Sequence, residues 1–370
     1  MVEWKKLGEV AELVRGKVIS KDYIRDYEGS YPVYSSQTAN DGVFGTIDSY
    51  MFDGDYLTWT TDGAYAGTVF RRKGKFSITN VCGLINIIDN NINQDFLYYW
   101  LSLTAKSYVL EGMGNPKLMS NVASTIKIPI PSLSEQNRIV GILDTFTASI
   151  DNLKEQIAQR RKQYEYYRDE LLDLEGKEGV EMKTLGEIGE FIRGNGIQKS
   201  DFIEEGFGCI HYGQIHARYG FSATETISKI DESLYKRCKK ARKGDVVLAT
   251  TSEDAEGVAK PFVWLGDEEV AVSGDAFIYH HNQNGKFMGY QFLTHKFMHF
   301  KVKYATGAKV VRISGDNMAK FEVALPSLSE QQRIVSILDT FEGSIQNLEA
   351  QLEQRQKQYE FYRNILLSFE

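Results

Sequence analysis

Two stretches of the chain repeat apolar residues at steps of three, four or seven. In the first these are Ile139, Ile142, Phe146, Ile150, Leu153, Ile157, Tyr164, Tyr167 and Leu171. In the second they are Ile334, Ile337, Phe341, Ile345, Leu348, Leu352, Tyr359, Tyr362 and Leu366. That spacing places each set on one face of a helix, in the manner of a coiled coil. Ser132-x-x-Glu135 and Ser327-x-x-Glu330, each just after a proline, are capping boxes that give both helices defined starts. About 40 residues at 1.5 Å each predict rods of roughly 60 Å. Between these stretches the pattern is shorter and mixed. Gly83–Ile88 and Asp245–Ala249 read as strands among Gly-rich turns, and Asp95–Leu110 and Lys286–His299 read as helices. Short strands at Ile126–Ile130 and Phe321–Leu325 feed straight into the long helices.

The two long stretches are copies. Pro131–Glu175 and Pro326–Glu370 align without a gap at an offset of 195, with 30 of 45 positions identical. The regions between them are related more faintly. Leu7-Gly8-Glu9 and Arg15-Gly16 return as Leu185-Gly186-Glu187 and Arg193-Gly194, and Gly54-Asp55 with Thr60-Thr61 return as Gly244-Asp245 with Thr250-Thr251. The rising offset means that the second copy carries loop insertions on a kept framework. The expected architecture is α+β with an internal repeat: α/β domain, long helix, α/β domain, long helix. The two apolar stripes match residue for residue, which favours pairing within the chain, along a seam of Ile142, Phe146, Leu153 and Tyr164 against Ile337, Phe341, Leu348 and Tyr359. The competing reading of the seam is a coiled coil that joins two chains.

Composition narrows the class. The chain has 370 residues, 42% hydrophobic and 25% charged, with no apolar run able to cross a bilayer. Three widely spaced cysteines form neither a disulfide framework nor a zinc knuckle and fit a reducing, cytoplasmic setting. There is no phosphate loop, no nucleophile elbow and no Pro-Pro pair for an amino-methyltransferase motif. His295 and His299 stand at a spacing that metals use, but lack an acidic third ligand, so no metal site is expected. The net charge of −7 is uneven: the helical repeats hold most of the excess acid, and the domains are near neutral with local basic clusters.

Those clusters suggest binding. Lys236 to Lys243 hold six cations in eight residues, Arg71, Arg72, Lys73 and Lys75 form a second group, and Lys301, Lys303, Lys309 and Arg312 a third. Cations of this density suit phosphate contacts, although a charge run is more often a solvated face. Amide, hydroxyl and aromatic side chains able to read base edges lie beside them. The candidate DNA-binding set is Tyr34, Ser36, Gln37, Thr60, Thr61, Arg71, Arg72, Lys73 and Lys117 in the first domain. In the second it is His211, Tyr212, Gln214, Arg218, Lys239, Lys240, Thr250, Thr251, Lys309 and Arg312. No catalytic residue is expected.

The recurring P-S-L-S-E-Q-x-R-I-V-x-I-L-D block, the opening Trp4-Lys5-Lys6-Leu7-Gly8-Glu9-Val10, Gly208-x-Ile210-x-Tyr212-Gly213-Gln214-Ile215 and Gly244-Asp245-Val246-Val247-Leu248 together resemble the DNA sequence-specificity subunit of Type I restriction–modification enzymes. The resemblance implies target-recognition domains at 1–131 and 177–326, and conserved helical regions at 132–176 and 327–370. It implies that each domain reads one half of a split site on double-stranded DNA, with the antiparallel helices as ruler, related by a pseudo-twofold axis. It further implies modification (methyltransferase) subunits and a restriction/translocase subunit as partners. S-adenosylmethionine, ATP and Mg would belong to those partners and no cofactor to this chain. The rival from another class is a coiled-coil adaptor whose paired domains bind proteins. A nuclease or methyltransferase in its own right is disfavoured by the missing motifs.

Overall fold

The computed structural model describes residues 2–111, 114–307 and 310–369. The chain divides into two compact units, Met1–Leu153 with Gln351–Glu370, and Lys154–Ala350. The long helices are continuous over Leu133–Leu172 and Leu328–Leu366. Each unit therefore takes the start of the helix that follows its own domain and the end of the other.

In the first unit six strands pair in the order Ala11–Arg15, Cys82–Ile87, Phe52–Thr60, Val69–Ile78, Glu28–Tyr34 and Val43–Ile47. Neighbours are antiparallel except for the parallel pairing of Glu28–Tyr34 on Val69–Ile78. Alternation along Phe52–Thr60 puts Leu57 and Trp59 on one face and Thr58 and Thr60 on the other, all fully buried. Trp59 lies across the next strand, and a Cβ at Gly83 would fall 2.2 Å from its ring, so only glycine fits there. The helix Gln94–Thr104 buries Phe96, Leu97, Tyr99, Trp100 and Leu101. Its expected extension to Leu110 stops because the chain tightens into a 3₁₀ turn at Ala105–Tyr108.

The second unit splits the corresponding strands into two sheets. Five run in the order Gly189–Arg193, Ala276–His281, Val246–Ala249, Lys260–Trp264 and Ser222–Ala223. Four more run as Ser228–Ile230, Phe207–Ile210, Val270–Val272 and Lys240–Ala241. The helix expected over Lys286–His299 is two helices, Gly285–Gln291 and His295–Tyr304. Thr294 breaks it, because its side chain accepts from the Phe297 amide at 3.2 Å and caps a new helix. The terminal strands pair with the start of their own domains, Lys127–Ile130 with Glu3–Lys6 and Glu322–Leu325 with Glu181–Thr184.

Within each unit the helical segments run antiparallel. Phe146 stacks on Tyr362 at 5.3 Å in the first unit, and Tyr167 on Phe341 at 5.4 Å in the second. These are the same two repeat positions with their roles exchanged. In the second unit Arg161 pairs with Glu349, so numbers fall on one helix as they rise on the other. Ile142, Phe146, Leu153, Tyr164, Ile337, Phe341, Leu348 and Tyr359 are half-buried. The fully buried stripe is Ile139, Val140, Leu143, Ile150 and Ile157, repeated as Ile334, Val335, Leu338 and Ile345. A two-helix seam is covered from one side only, whereas the heads of both helices also lie in their domain's core.

A buried glutamine makes that junction. The Gln136 amide donates to Asn91 O at 2.8 Å and Pro131 O at 2.9 Å, and its oxygen accepts from the Asn93 amide at 2.8 Å. Gln331 repeats this, donating to Pro326 O at 3.0 Å and Gln283 Oε1 at 2.8 Å and accepting from the Asn284 amide at 3.0 Å. Asn93 and Asn284 cap the domain helices, so one residue joins a cap to the root of a long helix. A second tie follows one helical stretch later. Tyr99 donates to Asp144 at 2.6 Å and Tyr290 to Asp339 at 2.7 Å.

Replacing Gln136 by methionine keeps the volume and orphans three backbone partners. The first unit should lose about 2–4 kcal/mol. Amide exchange at Asn93 should speed up while that at Asn284 stays unchanged. Equal acceleration at both would show that the junctions are not independent.

Candidate nucleic-acid interface

Both units place a Thr-Thr step where a central strand runs into a loop, and hold that loop against the segment that leads to a short helix. In the first unit the Leu118 amide donates to Thr61 O at 3.0 Å, and the Gly63 amide to Pro116 O at 3.0 Å. Thr60 Oγ1 accepts from the Thr68 amide at 3.0 Å, which folds the loop back on itself. Gly67 has φ +81° there, and a Cβ would meet Val109 and the Ala105 carbonyl. Lys117 and the ring of Tyr65 stand exposed on this loop pair, Lys117 at 3.8 Å from Asp62. Thr61 Oγ1 is buried without a hydrogen-bond partner.

In the second unit Thr250 donates its amide to Asp275 O at 3.0 Å, and Thr251 pairs in a short antiparallel ladder with Arg312. Arg312 is exposed. His216 Nε2 lies 3.0 Å from Thr251 O. The loop after Ser252 is tethered by Lys301, whose ammonium donates to Glu256 O at 2.5 Å and Val258 O at 2.8 Å. The third expected basic group is therefore divided. Arg312 faces solvent, Lys301 is 3% exposed, and Lys309 lies outside the described residues. The signal for Lys301 is Phe297, four residues earlier on the same helical face and fully buried.

Other expected contacts serve the fold. Arg71 reaches Asp95 at 2.7 Å and Asp144 at 3.1 Å, joining strand to helices. Arg72 is 2% exposed, paired with Asp41 at 2.7 Å and lying 3.6 Å over Tyr34. Both are thus committed inside the domain, whereas Lys73 and Lys75 of that group are exposed, Lys75 at 4.7 Å from the Tyr50 ring centroid. Gln37 donates to Val43 O, and Ser36 is half-buried beside it. His211 accepts from the Gly213 amide at 3.2 Å and caps the helix Tyr212–Ala217. Burial lowers its pKa, which keeps the ring neutral for that role. Gln214 donates to Ser228 Oγ at 2.6 Å and is 7% exposed, so it fixes a turn. Tyr212 is half-buried, and Arg218 and Lys239 are exposed.

Half of the six cations in the densest basic run are paired on site. Lys236 pairs with Glu232 at 2.7 Å, Lys243 with Asp267 at 2.6 Å, and Arg242 lies 3.7 Å from Asp245. Lys240 sits 4.8 Å over the Tyr235 ring. His295, read as one of a histidine pair, is bonded to Asp169 at 2.5 Å. Cys82 and Cys209 are buried, and desolvation pushes both thiols up to about 12, as small hydrophobes rather than nucleophiles.

The fold is a duplicated module with loops at equivalent positions in its two copies. The Type I restriction modification DNA specificity domain matches residues 1–160 and again 177–355, and the chain belongs to that family. It is a non-catalytic DNA-recognition subunit with two specificity domains. A chain of Mycoplasma pneumoniae named as a type I specificity subunit is 31% identical over 371 residues, covering 98% of this chain and 97% of that one. The specificity subunit of the MpnII restriction enzyme of the same organism is 39% identical over 45% of this chain and 52% of its own length. The fold is similar to that of the S subunit of a type I system from M. genitalium, with a TM-score of 0.62 at 16% identity over 100% of this chain and 97% of that one. Among the described residues no helix is long and apolar enough to cross a membrane.

The buried Lys301 generates a pH test. Desolvation lowers its pKa from 10.5 to about 8. Between those values the unfolded chain binds more protons, so stability rises with pH across that window. The wild-type chain should gain stability relative to Lys301→Met between pH 8 and pH 10.5, by up to about 3 kcal/mol. Denaturant unfolding of both proteins across that range measures the difference, and a constant difference would show that Lys301 titrates normally.

Proposed function

We propose that this chain is the DNA-reading scaffold of a type I restriction–modification assembly. Residues 1–131 read one half of a split site and 177–326 the other. The helical regions 132–176 and 327–370 set the unread gap and dock modification subunits. S-adenosylmethionine, ATP and Mg serve the partner subunits, and the assembly works in the cytoplasm. The observation that carries this reading is the matched pair of loops: Thr60-Thr61 with exposed Lys117, and Thr250-Thr251 with exposed Arg312. The cations suit phosphate contacts, while Thr60, Thr61 and Thr250 are buried and shape the loops that carry them. A protein-binding adaptor has no need for an exposed cation at the same place in two loops whose surroundings differ.

Lys117→Ala and Arg312→Ala should each weaken DNA binding by roughly tenfold and lower the salt slope by about 1. Unchanged affinity in both would move the interface elsewhere.

Mapping methylated adenines in cells with and without the gene tests the whole reading. Loss of one motif, two short blocks at a fixed gap, is the expected result. An unchanged methylome in a host with the matching modification subunit would favour the adaptor. Exchanging Thr60–Thr68 for the loop of another specificity subunit should alter one block and leave the other.

A further inference from the structure

A cavity of about 280 Å³ in the second unit is lined by Asp169, Glu170, Asp173 and Glu175, with Gln291 in its wall. The four acids lie in or just beyond the last turn of the helix Leu133–Leu172. Carboxylates there oppose the helix dipole, which favours cations at that end. Some of the charge is answered locally. Asp169 meets Arg168 at 2.7 Å and His295 at 2.5 Å, and Glu175 lies 3.5 Å from Lys296. Glu170 and Asp173 have no ion-pair partner among the described residues and are exposed.

The internal repeat supplies a control. At the positions of Asp169, Glu170 and Asp173 the second copy has Asn364, Ile365 and Ser368. The helix end packs on its domain in both copies, with Leu172 and Leu367 each buried. Packing therefore needs no acids, and the carboxylates in the first copy answer to something else.

Gln291 provides a second and independent observation. It is 4% exposed, and its Nε2 donates to no acceptor. An unused buried donor is costly. An incoming carbonyl would satisfy it, and Leu174 and Val323 beside it offer apolar wall for an aliphatic stem.

We propose that this cavity receives a lysine- or arginine-bearing peptide segment of a protein partner. Its cationic head lies between Glu170 and Asp173, its stem lies on Leu174 and Val323, and a backbone carbonyl accepts from Gln291. A free polyamine offers the charge but no carbonyl. The assignment is independent of which DNA the chain reads.

The test is calorimetric titration of the full chain with blocked tetralysine and, separately, with spermine, at physiological salt. Tetralysine should bind saturably. Glu170→Lys with Asp173→Lys should weaken it by at least about tenfold, while the same charge change at exposed Glu204 and Glu205 should cost less than about twofold. Gln291→Leu should weaken tetralysine a few-fold and leave spermine unchanged. No saturable binding, or equal losses from the two charge swaps, would overturn the site. Spermine matching tetralysine, with Gln291→Leu silent for both, would overturn the peptide assignment.

Discussion

A neutral amide buried at the root of each long helix is the constraint on which the rest of this molecule depends. Gln136 and Gln331 are fully buried, and each saturates backbone groups from two directions. Glutamate in that place would bring an uncompensated charge, and leucine would leave donors and acceptors without partners. The geometry is directional in a way that apolar packing is not. A ruler is only as good as its mounting: a ten-degree error at the root of a rod of about 60 Å displaces its end by roughly 10 Å. The Tyr99–Asp144 and Tyr290–Asp339 bonds, farther along the same helices, remove the remaining freedom to swing.

Where that mounting operates the two halves are copies, and elsewhere they diverge. Ile139, Val140 and Leu143 are answered by Ile334, Val335 and Leu338, and the Phe–Tyr stacks agree to 0.1 Å in separation. Yet one domain has a single six-stranded sheet and the other has sheets of five and four strands. Cores restrict volume and shape at every position, whereas loops lengthen at small entropic cost. A duplicated scaffold can therefore keep its joints while its reading surfaces change. The Thr-Thr step shows the intermediate case. Its strand end is preserved, but the first loop is closed on itself through Thr60, and the second is held by a buried lysine from a helix.

This division also explains what is legible in the sequence. The long helices, their caps and their pairing follow from periodicity and repeat, because a helix seam is a local pattern copied twice. Strands at Cys82–Ile87 and Val246–Ala249 fall within one residue of expectation because their apolar runs are buried on both faces. Cations mislead, since a charge in a list does not show which way it points. Arg71, Arg72 and Lys301 all belong to basic groups, and all three are turned inward to partners distant in sequence. Gln214 and His211 have the chemistry of base readers but spend it on a helix cap and a turn. Thr61 with Lys117 in the first unit, and Thr251 with Arg312 in the second, meet only through tertiary pairing of segments about 55 to 61 residues apart.

The electrostatics bear on the order in which such a chain meets its partners. Its net charge is −7, and half of the six cations in its most basic segment are paired, to Glu232, Asp245 and Asp267. Little long-range attraction for a polyanion is left, because a paired cation gains less from replacing condensed counterions than a free one. The acidic helices point the same way: they repel phosphate and attract basic protein surface. Binding a basic protein would cancel part of this repulsion. The exposed cations of the loops, Lys117 and Arg312, then suit phosphate contacts, which position a chain on a duplex without reading its sequence.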